Sequence, residues 1–186
     1  RATASTEGGR SAAVTPRSLG DHHSLHAAVG SRSARLRNVD RVSVSIDIVR
    51  LDPDLPLPAY AHHGDAGLDL HARESAVLRA GGGRVLMPTG ISIAIPIGHC
   101  GLVIPRSGLA LKHGISIVNS PGLIDAAYRG EIKAVLVNTD PTDDYEVHRG
   151  DRVAQLMIQR VEHVAWNVVD TLAGVDRGGG FGHSGR

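Results

Sequence analysis

The chain has 186 residues, enough for one domain with a real hydrophobic core and too few for two ample ones. Lysine and arginine total 20 against 19 aspartates and glutamates, and the resulting charge of +1 gives no general case for a nucleic-acid polymer or an anionic membrane as partner. Cys100 is the only cysteine, which excludes an intrachain disulfide framework or a zinc site built on paired cysteines, and fits a reducing compartment.

Residues 1–40 are rich in Ala, Ser, Arg, Gly and His, lack apolar periodicity and are expected to be disordered. The sequence begins with arginine, so an extension, a tag, a truncation and an organellar transit peptide all stay open; Glu7, Asp21 and the lack of an amphipathic helix weigh against import. A cytoplasmic location is the simplest expectation. From Val42 the pattern changes: Val42, Val44, Ile46 and Ile48 alternate with Ser43, Ser45 and Asp47, predicting a strand with one buried face. A β domain is therefore expected over 41–169. Further strands are predicted at Arg84–Met87, Ile91–Ile95, Cys100–Ile104, Ile115–Val118, Ile132–Asn138, Tyr145–His148 and Val153–Val161, with a short helix near Ser107–Lys112.

The most apolar window, Ile91 to Pro105, is broken by Pro96, Gly98, His99 and Gly101 and is too short to cross a bilayer as a helix. Gly, Pro and Asp punctuate the strands at close intervals, and no long stretch has apolar residues at helical spacing, so the chain reads as an all-β barrel or sandwich. Residues 170–186 are glycine-rich and read as a flexible arm carrying Phe181, the only phenylalanine.

One segment carries chemistry. Asn119 to Lys133 reads N-S-P-G-L-I-D-A-A-Y-R-G-E-I-K, between apolar flanks rich in β-branched residues. Pro121 and Gly122 supply a turn, and Gly130 permits a backbone conformation or close approach that a side chain would block. Asp125 then sits near a bend with Tyr128 beside it. On residue types alone two readings stay open: a turn aspartate with a tyrosine packed at a hairpin edge, or a partly desolvated general base beside a nucleoside. Upstream, P-R-S-G-L-A at 105–110 groups Arg106, the Ser107 hydroxyl and the Gly108 N–H, donors suited to phosphate oxygens or to a strand-to-helix cap.

Five segments in order resemble the trimeric deoxyuridine triphosphatases: D-A-G-L-D-L at 65–70, P-R-S-G-L-A at 105–110, the 119–133 hairpin, G-D-R-V-A-Q-L at 150–156, and the glycine-rich tail with Phe181. The resemblance covers the chain from about Val42 onward. It implies a homotrimer of jelly-roll subunits whose active sites draw on more than one chain, and hydrolysis of dUTP to dUMP and pyrophosphate. Asp125 would be the catalytic base, activating the water that attacks the α-phosphorus. Tyr128 would stack beneath the deoxyribose, and Asn119, Gly122 and Ile124 would read the uracil edge.

Arg106, Ser107, Gly108 and Gln155 would contact the phosphates, with Lys133 in support and Asp69 acting from behind them. Magnesium would be held by triphosphate oxygens and water, with no direct protein ligand. Phe181 would close over the site. Arg177 would reach the γ-phosphate, although it stands one residue away from the family's pattern, and His183 and Ser184 replace the usual pair of hydroxyl residues.

Two alternatives accompany this reading. Deoxycytidine triphosphate deaminases share the fold but need a catalytic glutamate shortly after the hairpin, and Glu131 falls too early. A non-catalytic nucleotide-binding or regulatory trimer is the other. The Arg149-Gly150-Asp151 tripeptide lies inside the fourth segment and reads as structural. The pairs His22-His23 and His62-His63 lack i, i+4 ligand spacing, and Gly81 to Gly83 have no following Lys-Ser or Lys-Thr to form a P-loop.

Overall fold

The computed structural model describes residues 43–176 and 178. The chain divides into two units, 1–44 and 45–186, and among the described residues every regular element lies in the second. Among the described residues the elements are β1 (Asp47–Arg50), β2 (Leu68–His71), β3 (Ala76–Leu78), β4 (Arg84–Pro88), β5 (Ile91–Ala94), β6 (His99–Ile104), α1 (Ser107–His113), β7 (Ile115–Ile117), β8 (Gly122–Ile124), β9 (Lys133–Asn138), β10 (Tyr145–Val147) and β11 (Arg152–Arg160).

All strand pairings are antiparallel. The sheets run β2-β11-β6-β8 and β4-β9-β7, with the pairs β1-β5 and β3-β10 beside them. Period-two alternation explains which faces turn inward. Ile91, Ile93 and Ile95 are buried while Ser92 and Ala94 are half-buried, and Ala134, Leu136 and Asn138 alternate with partly exposed Val135 and Val137. These rows meet Leu70, Leu78, Met87, Ile132 and Val147 in one apolar core. Helix α1 buries none of its residues and stops at Gly114, whose φ of 64° lets its N–H reach the Leu109 and Ala110 carbonyls.

The longer strands and the helix fall where the alternation predicts them. Three strands, β2, β3 and β8, go beyond those expected from the sequence. β8 also changes the nature of the 119–133 segment. Its flanks pair as expected, with Ile115 opposite Asn138 and Ile117 opposite Leu136. After the cis Ser120–Pro121 bond, however, the chain leaves that pair and adds β8 to β6. The predicted strand from Val42 to Ile48 also needs correction: the strand is Asp47–Arg50, and all four residues are exposed. It is an edge strand paired with β5, so its apolar side chains keep an open face. Val42 lies outside the described residues, as do Arg177, Phe181, His183 and Ser184.

Asn138 is the clearest polar element of the core. It is fully buried, its amide nitrogen donates to the Leu78 and Asp143 carbonyls at 3.1 and 2.8 Å, and its side-chain oxygen accepts the Asp140 N–H at 2.9 Å. Replacing it by alanine strands these groups in the interior. Asn138→Ala should cost about 2–4 kcal/mol of unfolding free energy, measured by urea denaturation; a loss within about 0.5 kcal/mol would show that these bonds do not hold the β9–β10 connection.

Candidate functional site

A buried carboxylate organises the first half of the site. Asp69 on β2 is 5% exposed. Its Oδ1 lies 3.3 Å from Arg106 Nε and accepts from Gln155 Nε2 at 3.2 Å, while Oδ2 accepts from Arg152 Nη1 at 3.1 Å. Arg106 also donates through Nη1 to the Arg152 carbonyl at 2.9 Å.

Gln155 and Arg152 are three residues apart on β11, and in a regular strand such residues face opposite sides of the sheet. The register with β2 shifts between Arg152 and Ala154, which inserts an extra residue at Val153. This bulge lets both side chains reach the same carboxylate. Gly67 completes the packing, since a Cβ there would sit 3.2 Å from the Gln155 Cβ.

The structure thus brings together Asp69, Arg106 and Gln155 as the sequence reading anticipates. Arg152, which that reading missed, joins them; its only signal was membership of the 150–156 segment. Ser107 and Gly108 follow Arg106 at the start of α1, both exposed, with open space around Gly108. Two guanidiniums against one carboxylate leave a positive surplus facing this opening, suited to a polyanion.

Asp125 and Tyr128 occupy the other half. β8 carries the chain to Asp125, whose carbonyl accepts the Tyr128 N–H at 3.0 Å and closes a tight turn. Arg129 seals the turn by donating Nη1 to the Ala126 and Tyr128 carbonyls at 2.6 and 2.7 Å. Tyr128 Oη donates to the Glu131 carbonyl at 3.0 Å, so the ring lies across Gly130, where a Cβ would come within 2.5 Å of Oη. A side chain at position 130 would therefore displace the ring.

Gly122 is buried and lies against the side chain of exposed Asn119, whose Nδ2 would be 3.5 Å from a Cβ at Gly122. Ile124 packs against the core, and Lys133 opens β9 with its side chain exposed. Asp125 is exposed rather than partly desolvated.

The two halves do not meet within one chain. Ile124 pairs with Gly101 on β6, whereas Gln155 pairs with Ile104. Continuing the register, Asp125 stands about four residues from the Gln155 row and two strand spacings across, roughly 16 Å in all.

Fold and site together define an all-β protein with a carboxylate-anchored cationic cluster and, apart from it, a loop presenting an exposed carboxylate and a ring. Residues 54–185 match the dUTPase family. The deoxyuridine 5'-triphosphate nucleotidohydrolase of Mycobacterium avium (strain 104) is 57% identical over 150 residues, spanning 77% of this chain and 97% of that protein. Among solved structures, a variant dUTPase of Staphylococcus bacteriophage 80alpha with dUpNHpp superposes with a TM-score of 0.70 at 24% identity, covering 77% of this chain and 99% of that one. A dUTPase variant from phage phi11 of S. aureus, described with a structural Mg(II) ion, gives 0.65 at 23% identity over 70% of this chain and 100% of that one. These two likenesses establish the fold. The chain belongs to the dUTPase family.

His71, at the end of β2, lies beside the cationic cluster. Burial holds its imidazole below the ordinary value of 6.5; Asp69 opposes that shift and the charges of Arg152 and Arg106 reinforce it. The folded chain therefore binds this proton less well than the unfolded one. The associated stability is present above about pH 6.5 and is lost as pH falls toward the folded-state value. His71→Gln should flatten the decline in melting temperature between about pH 7 and about pH 5; a decline as steep as the parent's would show that other groups carry it.

Proposed function

We propose that this protein hydrolyses dUTP to dUMP and pyrophosphate, limiting uracil in DNA and supplying dUMP for thymidylate synthesis. The observation that carries the reading is the pairing of an exposed Asp125 carboxylate with a hydrogen-bonded Tyr128 ring on one closed turn. In the proposed mechanism Asp125 takes a proton from the water that attacks the α-phosphorus. Its exposure leaves room for that water, and general-base help of this kind contributes about a hundred- to ten-thousand-fold.

Tyr128 would stack beneath the deoxyribose and leave no space for a ribose 2′-hydroxyl. Asn119 and the backbone at Gly122 and Ile124 would read the uracil edge, and the tight turn would exclude the thymine methyl. Cytosine, with donors and acceptors reversed, would leave these groups unpaired.

Arg106, Ser107, Gly108 and Gln155 would hold the phosphates, with Lys133 as a supporting cation. Asp69 would act from behind, fixing the forks of Arg106 and Arg152 and the Gln155 amide. Both Asp69 oxygens are already engaged by these donors, which fits a magnesium ion carried on triphosphate oxygens and water rather than on this carboxylate. Bound there, the ion would neutralise charge on the phosphates. Phe181 would cover the base and Arg177 would reach the γ-phosphate from the arm.

A homotrimer with shared sites is part of the proposal, and two features support it. Asp125 and the cationic cluster of one chain are roughly 16 Å apart by strand register, too far to act on one phosphorus. Beyond β11, moreover, Val164, Trp166 and Val168 alternate along the chain at 69%, 88% and 94% exposure, apolar side chains that a neighbouring chain would cover. A deaminase is disfavoured, because the Glu131 carboxylate accepts the Gly90 N–H and pairs with Arg73.

Pyrophosphate release with magnesium present should be fast for dUTP and slower by orders of magnitude for dTTP, dCTP and UTP; comparable turnover of all four would overturn the pocket. Asp125→Asn should lose about a hundred- to ten-thousand-fold in turnover while keeping most dUTP binding, and preserved turnover would remove Asp125 as the base. Light scattering should return a trimer, whereas a fully active monomer would refute shared sites.

A further inference from the structure

Glu131 follows the Asp125 turn and has no role in the chemistry above, yet it is among the most firmly held side chains near the site. Only 14% of the side chain is exposed. Its Oε1 accepts the Gly90 N–H at 2.9 Å and lies 3.3 Å from Arg73 Nη1. Gly90, in the β4–β5 turn with φ of 74°, is itself fixed, since its carbonyl accepts the Leu51 and Asp52 N–H groups at 2.7 and 3.3 Å. Arg73 is held in turn by Asp52, 4.0 Å from Nε, and both Asp52 oxygens accept from Arg149 Nη2 at 2.9 and 3.0 Å.

The carboxylate of Glu131 is thus locked to the barrel wall while its backbone carbonyl accepts the Tyr128 hydroxyl. We propose that Glu131 is a positioning residue for sugar discrimination: its clamped carboxylate fixes the carbonyl that sets the plane of the Tyr128 ring. The inference rests on the reading that Tyr128 meets the sugar. Exclusion of a single hydroxyl by a ring depends on small displacements. A ring tethered to a free strand end would retreat from a 2′-hydroxyl, whereas one tethered to this network resists it.

The test is a double-mutant cycle read as the ratio of kcat/KM for dUTP to that for UTP. Glu131→Ala should lower the ratio about tenfold, chiefly by raising UTP turnover, with kcat for dUTP kept within about threefold. Glu131→Gln, which keeps an acceptor for the Gly90 N–H, should restore most of the ratio. In a Tyr128→Phe background Glu131→Ala should change the ratio no further, because the hydroxyl that couples them is gone.

An unchanged ratio in folded Glu131→Ala, or an equal loss in both backgrounds, would overturn the proposal. Should Glu131→Ala not fold, Arg73→Met removes one anchor and is read the same way. A parent enzyme that turns over UTP as fast as dUTP would instead overturn the sugar-pocket reading itself.

Discussion

A carboxylate cannot be buried alone. Removing its water costs several kcal/mol unless charged donors replace it, and Asp69 is almost fully buried. Its replacements come from two places, Gln155 and Arg152 on β11 and Arg106 from the turn after β6, while Asp69 itself stands on β2. Satisfying one side chain therefore fixes one end of three adjacent strands. The β11 bulge and the side-chain-free surface of Gly67 follow from the same need, since without them Arg152 or Gln155 would lose its place beside the carboxylate. The outcome is a set of oriented guanidinium and amide donors with surplus positive charge, formed before any anion arrives. Such preorganisation spares the reorganisation that flexible surface arginines would require.

The Asp125 turn is held by a separate arrangement. Arg129 closes it from within, the Tyr128 hydroxyl ties it to Glu131, and the Glu131 carboxylate fastens it to Gly90 and Arg73. Strand β6 joins the two halves, pairing β11 on one side and β8 on the other. One chain thus offers two rigid half-sites on one sheet, facing different surroundings. In the proposed trimer each half meets its complement from another chain, so the precision of catalysis passes to the subunit interface.

The long strands were legible because alternation over five or more residues leaves little choice of face, as in Ile91, Ile93 and Ile95. The short strands divide: Ile115–Ile117 and Tyr145–Val147 fall where they are expected, whereas Leu68–His71 and Gly122–Ile124 owe their state to neighbours on β11 and β6, which local sequence does not display. Asp69, Arg106 and Gln155 were found through motif resemblance, whereas Arg152 was hidden by a rule that normally holds. Three residues along a strand reverse the side, and only the bulge cancels the reversal. The Val42 to Ile48 alternation misled for a different reason. It correctly marked one apolar face but not what would cover it, and the β1 residues are exposed.

That exposed face and the exposed Asp125 express one physical situation. A general base works best with restricted solvent, and Asp125 in its own chain is exposed. The apolar side chains of Val164, Trp166 and Val168 are likewise exposed in their own chain. Association that buries these side chains while bringing a cationic cluster to the Asp125 turn would remove both deficits at once. Apolar burial would supply the free energy, and desolvation of the reacting groups would follow from it. Under the proposed assembly a lone chain holds the donors in order yet lacks the environment in which Asp125 acts as a base, so activity depends on the same contacts that form the trimer.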